Sequence, residues 1–181
     1  FLMAHRYEDD DDPDAAIAAY KRATALDPSA AGILSDLAAL YMRVNRANDA
    51  IVTAEQSLRL DPKDRNAHET LGTVYASLAT GTAARQPRAA QTENLKKAIE
   101  HLEQAFDGPV SEGDANLRAM LSRLYLTDQD YDKAIPMLSD LVKQEPQWRD
   151  GAALLMQAFA AAGRPAEATR WLEEAAPDNP D

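Results

Sequence analysis

Four prolines recur in matching surroundings along this chain, and their spacing restricts the fold more than any other feature. They lie in Leu26-Asp27-Pro28, Leu60-Asp61-Pro62, Gln144-Glu145-Pro146 and Asp178-Asn179-Pro180, separated by 34, 84 and 34 residues. Proline has no backbone N–H and its ring clashes with the preceding turn, so each site closes one helix and opens the next segment. A 34-residue period holds two helices and their turns. It predicts an array in which each helix pair buries its apolar face against its neighbours.

The pattern can be tested by numbering each repeat so that its proline falls at position 32. Small residues then recur at positions 8, 20 and 27, as close helix crossings would need, and large apolar residues at 4, 7, 11 and 24, as the space between crossings would need. The second repeat supplies Leu34, Leu37, Ala38, Tyr41, Ala50, Ala54 and Ser57, with position 24 undersized. The fourth supplies Arg118, Leu121, Ser122, Tyr125, Ala134, Leu138 and Leu141, departing at positions 4 and 27. The fifth supplies Ala152, Leu155, Met156, Phe159, Ala168, Leu172 and Ala175, and the first, cut at its start, Met3, Ala4, Tyr7, Ala16, Tyr20 and Ala23. The third begins in register with His68, Leu71, Gly72 and Tyr75, then resumes 14 residues late at Leu95, Ala98, Leu102 and Ala105.

In this pattern the chain resembles the tetratricopeptide repeat family over nearly its whole length. The resemblance implies an all-α fold, a right-handed superhelical solenoid of about five helix-turn-helix pairs, hence ten helices. One solenoid domain over 1–181 is expected, with repeats at approximately 1–30 (truncated), 31–64, 65–114, 115–148 and 149–181 and an insertion at 80–94. Within the insertion, Gly81 to Pro87 reads as a loop, and Ala89 onward extends the second helix of that repeat by two turns or so. The insertion is read as a tolerated surface excursion, with a second contact surface as the sharper alternative. Asp12-Pro13 reads as an N-cap followed by proline at the first helical position, and Gly163-Arg164-Pro165 as a C′ glycine before a new start. Pro136 lies inside a helix and predicts a bend between Tyr131 and Pro136.

Composition narrows the function. Ala leads the apolar residues, which favours helix. The net charge of -11 and the absence of a basic stripe argue against nucleic acid as a partner. Without cysteine there is no thiolate metal site and no guide to redox compartment. The most apolar stretch, from Gly151 to Gly163, is too short for a membrane span. Localisation stays open between the cytoplasm and the periplasm. The sequence offers no nucleophile elbow, phosphate loop, dinucleotide fingerprint or paired-histidine zinc motif. The reading is therefore no enzyme, no cofactor and no metal. His68 takes a packing position, His101 is placed on a surface-facing helix, and His5 lies near the start. The acidic run Glu8 to Asp14 reads as a solvated turn whose acids favour the next helix start; attraction of a divalent cation or a basic partner is the alternative.

The resemblance also implies that the first helix of each pair lines a concave groove. Carried over by position, the candidate partner-binding residues are Ala39, Met42 and Arg43 from the second repeat and Asn66, Glu69 and Thr73 from the third. Asn116, Ala119, Arg123 and Leu126 come from the fourth, and Gln157 from the fifth. The Lys, Arg and Asn clamp of the chaperone-tail binders is missing. A groove of small side chains leaves room for an extended peptide or an amphipathic helix, with Arg43 and Arg123 as its cationic points. The expected function is a protein–protein interaction scaffold holding a protein or peptide. The alternatives are a module that self-associates through uncapped solenoid ends, giving a homo-oligomer, and an accessory domain of a larger polypeptide. The Ala-rich, cysteine-free repeats look like those of bacterial members.

Overall fold

The period read from the prolines reappears as helix pairs in a computed structural model, which describes residues 2–81, 87–106, 114–145, 148 and 150–175. Ten α-helices and no strand occur among the described residues. Two compact units are distinguished, residues 1–110 and 111–181. The boundary falls where the third pair gives way to the fourth. The first unit holds α1 (Leu2–Asp9), α2 (Pro13–Leu26), α3 (Ala31–Arg43), α4 (Ala47–Leu60), α5 (Arg65–Thr80) and α6 (Arg88–Ala105). The second holds α7 (Asp114–Asp128), α8 (Tyr131–Gln144), α9 (Gly151–Ala161) and α10 (Pro165–Ala175).

Helix ends follow the signals in the sequence. Asp12, Asp64 and Asp130 are N-caps whose carboxylates accept from the backbone N–H groups of Ala15, Ala67 and Lys133. Asp27, Asp61 and Glu145, each next to a proline, cap the C-termini of α2, α4 and α8. Helix α6 begins at Arg88, about two turns ahead of Leu95, as the extension requires. Of the expected insertion loop, residues 82–86 lie outside the described residues; Pro87 is the N-cap of α6. Helix α8 runs unbroken through Pro136. The ring's missing N–H leaves the carbonyl of Asp132 without its usual helical donor, at an exposed position where water can replace it.

The turn inside each pair is a device that the repeat pattern did not specify. Asp11, Asn45, Gln129 and Gly163 all adopt left-handed backbone, with φ of 56°, 59°, 63° and 68°. The N–H of the following residue reaches back to the carbonyl of Tyr7, Tyr41, Tyr125 or Phe159, at 2.8–2.9 Å. This is the Schellman closure, and it satisfies a carbonyl that the helix end would otherwise orphan. It recurs in four pairs and is replaced in the third, where α5 continues to Thr80.

Packing matches the small-residue rule. Ala4, Ala16, Ala38, Ala50, Ala98 and Ala134 are fully buried at the crossing positions, with Tyr20, Leu71, Leu102, Leu121 and Leu138 filling the gaps. At Gly72 a Cβ would stand 2.6 Å from Cγ of Leu102, so α5 and α6 meet there on a bare backbone. Ser57 links three helix ends. Its hydroxyl proton is shared between the carbonyl of Ala31 at 2.8 Å and the carboxylate of Asp64 at 2.7 Å. Three expected packing residues are instead exposed, Met3 on α1, Ala152 on α9 and Leu172 on α10.

His101 is not on a solvated face. It is half-buried, stacks on Tyr75 at 5.9 Å between ring centroids, and places Nδ1 3.0 Å from Nδ1 of buried His68. His68 donates from Nε2 to the carbonyl of Pro62 at 3.1 Å, so its Nδ1 is the acceptor and His101 the donor. His68 thus has the packing role expected of it. Burial, then the neighbouring His68, holds the pKa of His101 below its ordinary 6.5.

Two outcomes follow. Gln129 occupies left-handed space with a side chain that gives no local compensation. Gln129→Gly should raise stability by roughly 0.5–1 kcal/mol and Gly163→Ala should lower it by a similar amount, read from urea unfolding curves. Because the folded-state pKa of His101 lies below its unfolded value, its contribution is complete above about pH 6.5. Stability should fall as pH drops from there through the depressed value, and His101→Gln should flatten that part of a pH–melting profile.

Candidate functional site

In the first unit, α3 packs directly on α5, so the first helices of successive pairs form a layer. On it, Asn66 and Arg43 are exposed, while Ala39, Met42, Glu69 and Thr73 are half-buried. Met42 is drawn against the apolar core of α1 to α5, so only part of it faces outward.

Arg43 is not a free cationic point. Its guanidinium is paired with the carboxylate of Glu8 on α1. Glu8 also accepts the phenol proton of Tyr20, which is fully buried. The Tyr20 oxygen can then accept from Nδ1 of His5 at 3.1 Å, and Nε2 of His5 stands 3.9 Å from Asp36. Burial and the hydrogen bond to Glu8 push the pKa of the Tyr20 phenol up. Burial likewise raises that of Asp36, with His5 acting in the opposite sense. The acidic run therefore splits: Glu8 belongs to this network, Asp12 caps a helix, and Asp9, Asp10 and Asp11 are solvated.

The second unit brings candidate residues together. A cavity of about 250 Å³ is lined by Ala115, Asn116, Ala119, Leu141, Glu145 and Trp148. Asn116 and Ala119 were expected from the sequence; Glu145 and Trp148 were not. The Arg123 guanidinium lies over the Trp148 ring, 5.6 Å from its centroid, a cation–π arrangement that fixes both side chains. Leu126 turns partly into the core of α8 to α10, and Gln157 is exposed on α9 but is not among the cavity-lining residues. Trp148 owes its place to Gly151, where a Cβ would come within 2.4 Å of the indole Cε3. The available signal was a tryptophan followed three residues later by glycine at a helix start. Repeat position does not reach it, because the expected groove positions lie only on first helices, whereas Trp148 lies in the connection between α8 and α9.

The cavity offers an apolar floor from Ala119 and Leu141, an indole wall, an amide, a carboxylate and a nearby cation. That set suits an apolar side chain flanked by polar backbone better than it suits bond-making chemistry. Among the described residues no group of three or more His, Asp or Glu is arranged to hold a metal ion. No described helix is long and apolar enough to cross a membrane.

Comparison with known proteins agrees with this architecture. A family model described as "Tetratricopeptide repeat" matches residues 8–73, 89–157 and 127–181. No curated protein matches the chain. Among solved structures, the chain is similar to MamA, with 22% identity, a TM-score of 0.70, and coverage of 95% of this chain and 85% of that one. It is also similar to YrrB, described as a TPR protein with an unusual peptide-binding site, at 21% identity and TM-score 0.73, covering 94% and 80%. For TTC0263, a thermophilic TPR protein of Thermus thermophilus, the values are 21% and 0.62, covering 98% and 90%. At these identities the likeness concerns the fold. Together with the family match across most of the sequence, it means that this chain belongs to the tetratricopeptide repeat family.

Proposed function

We propose that the chain is a non-catalytic interaction scaffold that holds a peptide or helix of a partner protein on its first-helix face. In the second unit the partner's anchor side chain enters the cavity beside Trp148. The observation that carries this reading is the cavity itself, where an indole wall, Arg123 and Asn116 surround an apolar floor. Tryptophan and arginine supply the largest share of binding energy at protein interfaces, because each combines a broad apolar surface with directional polar contacts. Family membership supports the same reading, since these repeats generally act as scaffolds.

Within the expected groove the weight falls on the second unit. Arg43 already has Glu8 as its counter-ion, and a ligand carboxylate would have to displace it. Arg123 has an aromatic ring in place of an acid and keeps its charge available.

The test is affinity capture from the native organism's lysate with three baits: the natural chain, Arg123→Ala/Trp148→Ala, and Arg43→Ala. The expected result is a protein retained by the natural chain and by Arg43→Ala. The double variant should bind it at least about tenfold more weakly, a loss of ~1.4 kcal/mol. Equal retention by all three baits, or recovery of the chain alone, would remove the cavity from the account.

A further inference from the structure

The second helices of the first unit leave open a different groove. It lies between the C-terminal halves of α2 and α4, over the start of α3, and has a volume of about 410 Å³, within the range of binding clefts. Its apolar surface comes from Ala25, Pro28, Leu34 and Leu60, with Leu60 46% exposed. Next to Ala25 in sequence, Leu26 is 88% exposed. The charged residues lining it are Lys21 and Arg59, and no carboxylate lines it.

Those two cations differ from the ones that the fold holds in ion pairs. Elsewhere in the first unit Arg6, Arg43, Arg46 and Lys97 are each held by a carboxylate. Arg59 has no ion-pair partner among the described residues, and Lys21 only approaches the Tyr41 ring at 5.9 Å. In a molecule of net charge -11, the charges among the groove's described lining residues are thus all positive, beside the exposed side chain of Leu60.

The second unit provides an internal comparison. Its groove between α8 and α10 carries one cation, Arg170, against two carboxylates, Glu167 and Glu174, and is also lined by Ser139 and Trp171. There Ser139 holds the repeat position of Lys21, and Glu174 that of Gln56 in the first groove. Trp171 is 9% exposed and donates from its indole N–H to Ser139 Oγ at 2.8 Å, so the chain's own side chain narrows that groove, whose volume is about 220 Å³. Neither the greater width nor the lack of carboxylates in the lining is therefore a property of the repeat. Both are particular to the first unit.

We propose that the groove between α2 and α4 is a second docking surface, which receives an acidic amphipathic helix from a partner protein. Charge complementarity selects acids at Lys21 and Arg59, and Leu34 and Leu60 select large apolar anchors between them. The walls are helices whose backbone groups are already satisfied, so the groove cannot pair with an extended strand. A ligand that satisfies its own backbone, a helix with anchors at i, i+3 or i+4 and i+7, fits that constraint. This surface is separate from the cavity beside Trp148 and does not depend on it.

The test uses a phage-displayed library of helical peptides randomised on one face, panned on the full chain and counter-selected on K21E/R59E. Enriched peptides should carry Leu or Phe at helical spacing flanked by Asp or Glu. A peptide so obtained should bind the natural chain, lose at least tenfold against K21E/R59E, and weaken with added salt. Its affinity should be unchanged by Arg123→Ala/Trp148→Ala. Lys21 and Arg59 are exposed, and K21Q/R59Q serves in place of the charge reversal should that variant not fold as judged by circular dichroism. Enrichment without acids, no enrichment, or equal affinity for the natural chain and the groove variant would overturn the proposal. Loss of affinity with the Trp148 variant would instead assign the peptide to the other site. If sedimentation shows that the natural chain dimerises and K21E/R59E does not, the occupant is a second copy and the partner assignment falls.

Discussion

The close approach of helices at a handful of small side chains is the constraint from which the other features of this molecule follow. Ala16, Ala50, Ala98 and Ala134 hold the same repeat position in successive second helices and are fully buried. A larger side chain there would force neighbouring helices apart and open voids around the leucines and tyrosines packed beside them, at a cost typical of overpacked cores, about 1–3 kcal/mol. Gly72 carries this to its limit, since even a methyl group would strike Leu102. Close crossing in turn fixes where each chain segment must reverse. Four of the five pairs solve the reversal in the same way, with one left-handed residue and one backward hydrogen bond to an aromatic residue's carbonyl.

This explains why the architecture was legible in the sequence. Small residues at crossings, aromatics at position 11 and prolines at position 32 are each set by local sterics, so they recur in phase and can be read without coordinates. The left-handed turn residue was harder to read. Glycine announces it at 163, but Asp11, Asn45 and Gln129 perform the same task with less suitable side chains. A search keyed to glycine finds one of the four. The extension of α6 was legible for a different reason, because helix-compatible residues preceded the point where the pattern resumed.

The candidate site was only partly legible. Positions on the first helices could be enumerated, but what occupies each one's surroundings depends on contacts distant in sequence. Arg43 looked open because its partner, Glu8, is 35 residues away and sits in a run of acids that reads as solvent-exposed. The pairing is locked by Tyr20, whose buried hydroxyl needs an acceptor and finds it in the same carboxylate. Similarly, His101 lies on a helix whose pattern suggests solvent, yet a partner from α5, His68, draws it inward. A buried polar atom must be satisfied, and the choice of partner is a three-dimensional fact. Trp148 escaped notice because a connection between pairs carries no periodic signal.

The distribution of charge follows from the same geometry. A solenoid with short turns starts a new helix about every seventeen residues, and each start presents unpaired N–H groups that favour a carboxylate. Asp12, Asp64 and Asp130 occupy such starts, with Asp14, Asp49, Asp132 and Glu167 in first turns. These seven acids are thus structural, assigned to the rims where helices begin. Crossing positions are closed to variation by sterics and rims by capping, so the grooves between helices are where one repeat can differ chemically from the next. In the second unit an indole and two carboxylates narrow such a groove; in the first, cations and leucines line a wider one. An array built this way can change a binding surface at one repeat without disturbing the packing of the others, because the residues that define the surface are not those that hold the helices together.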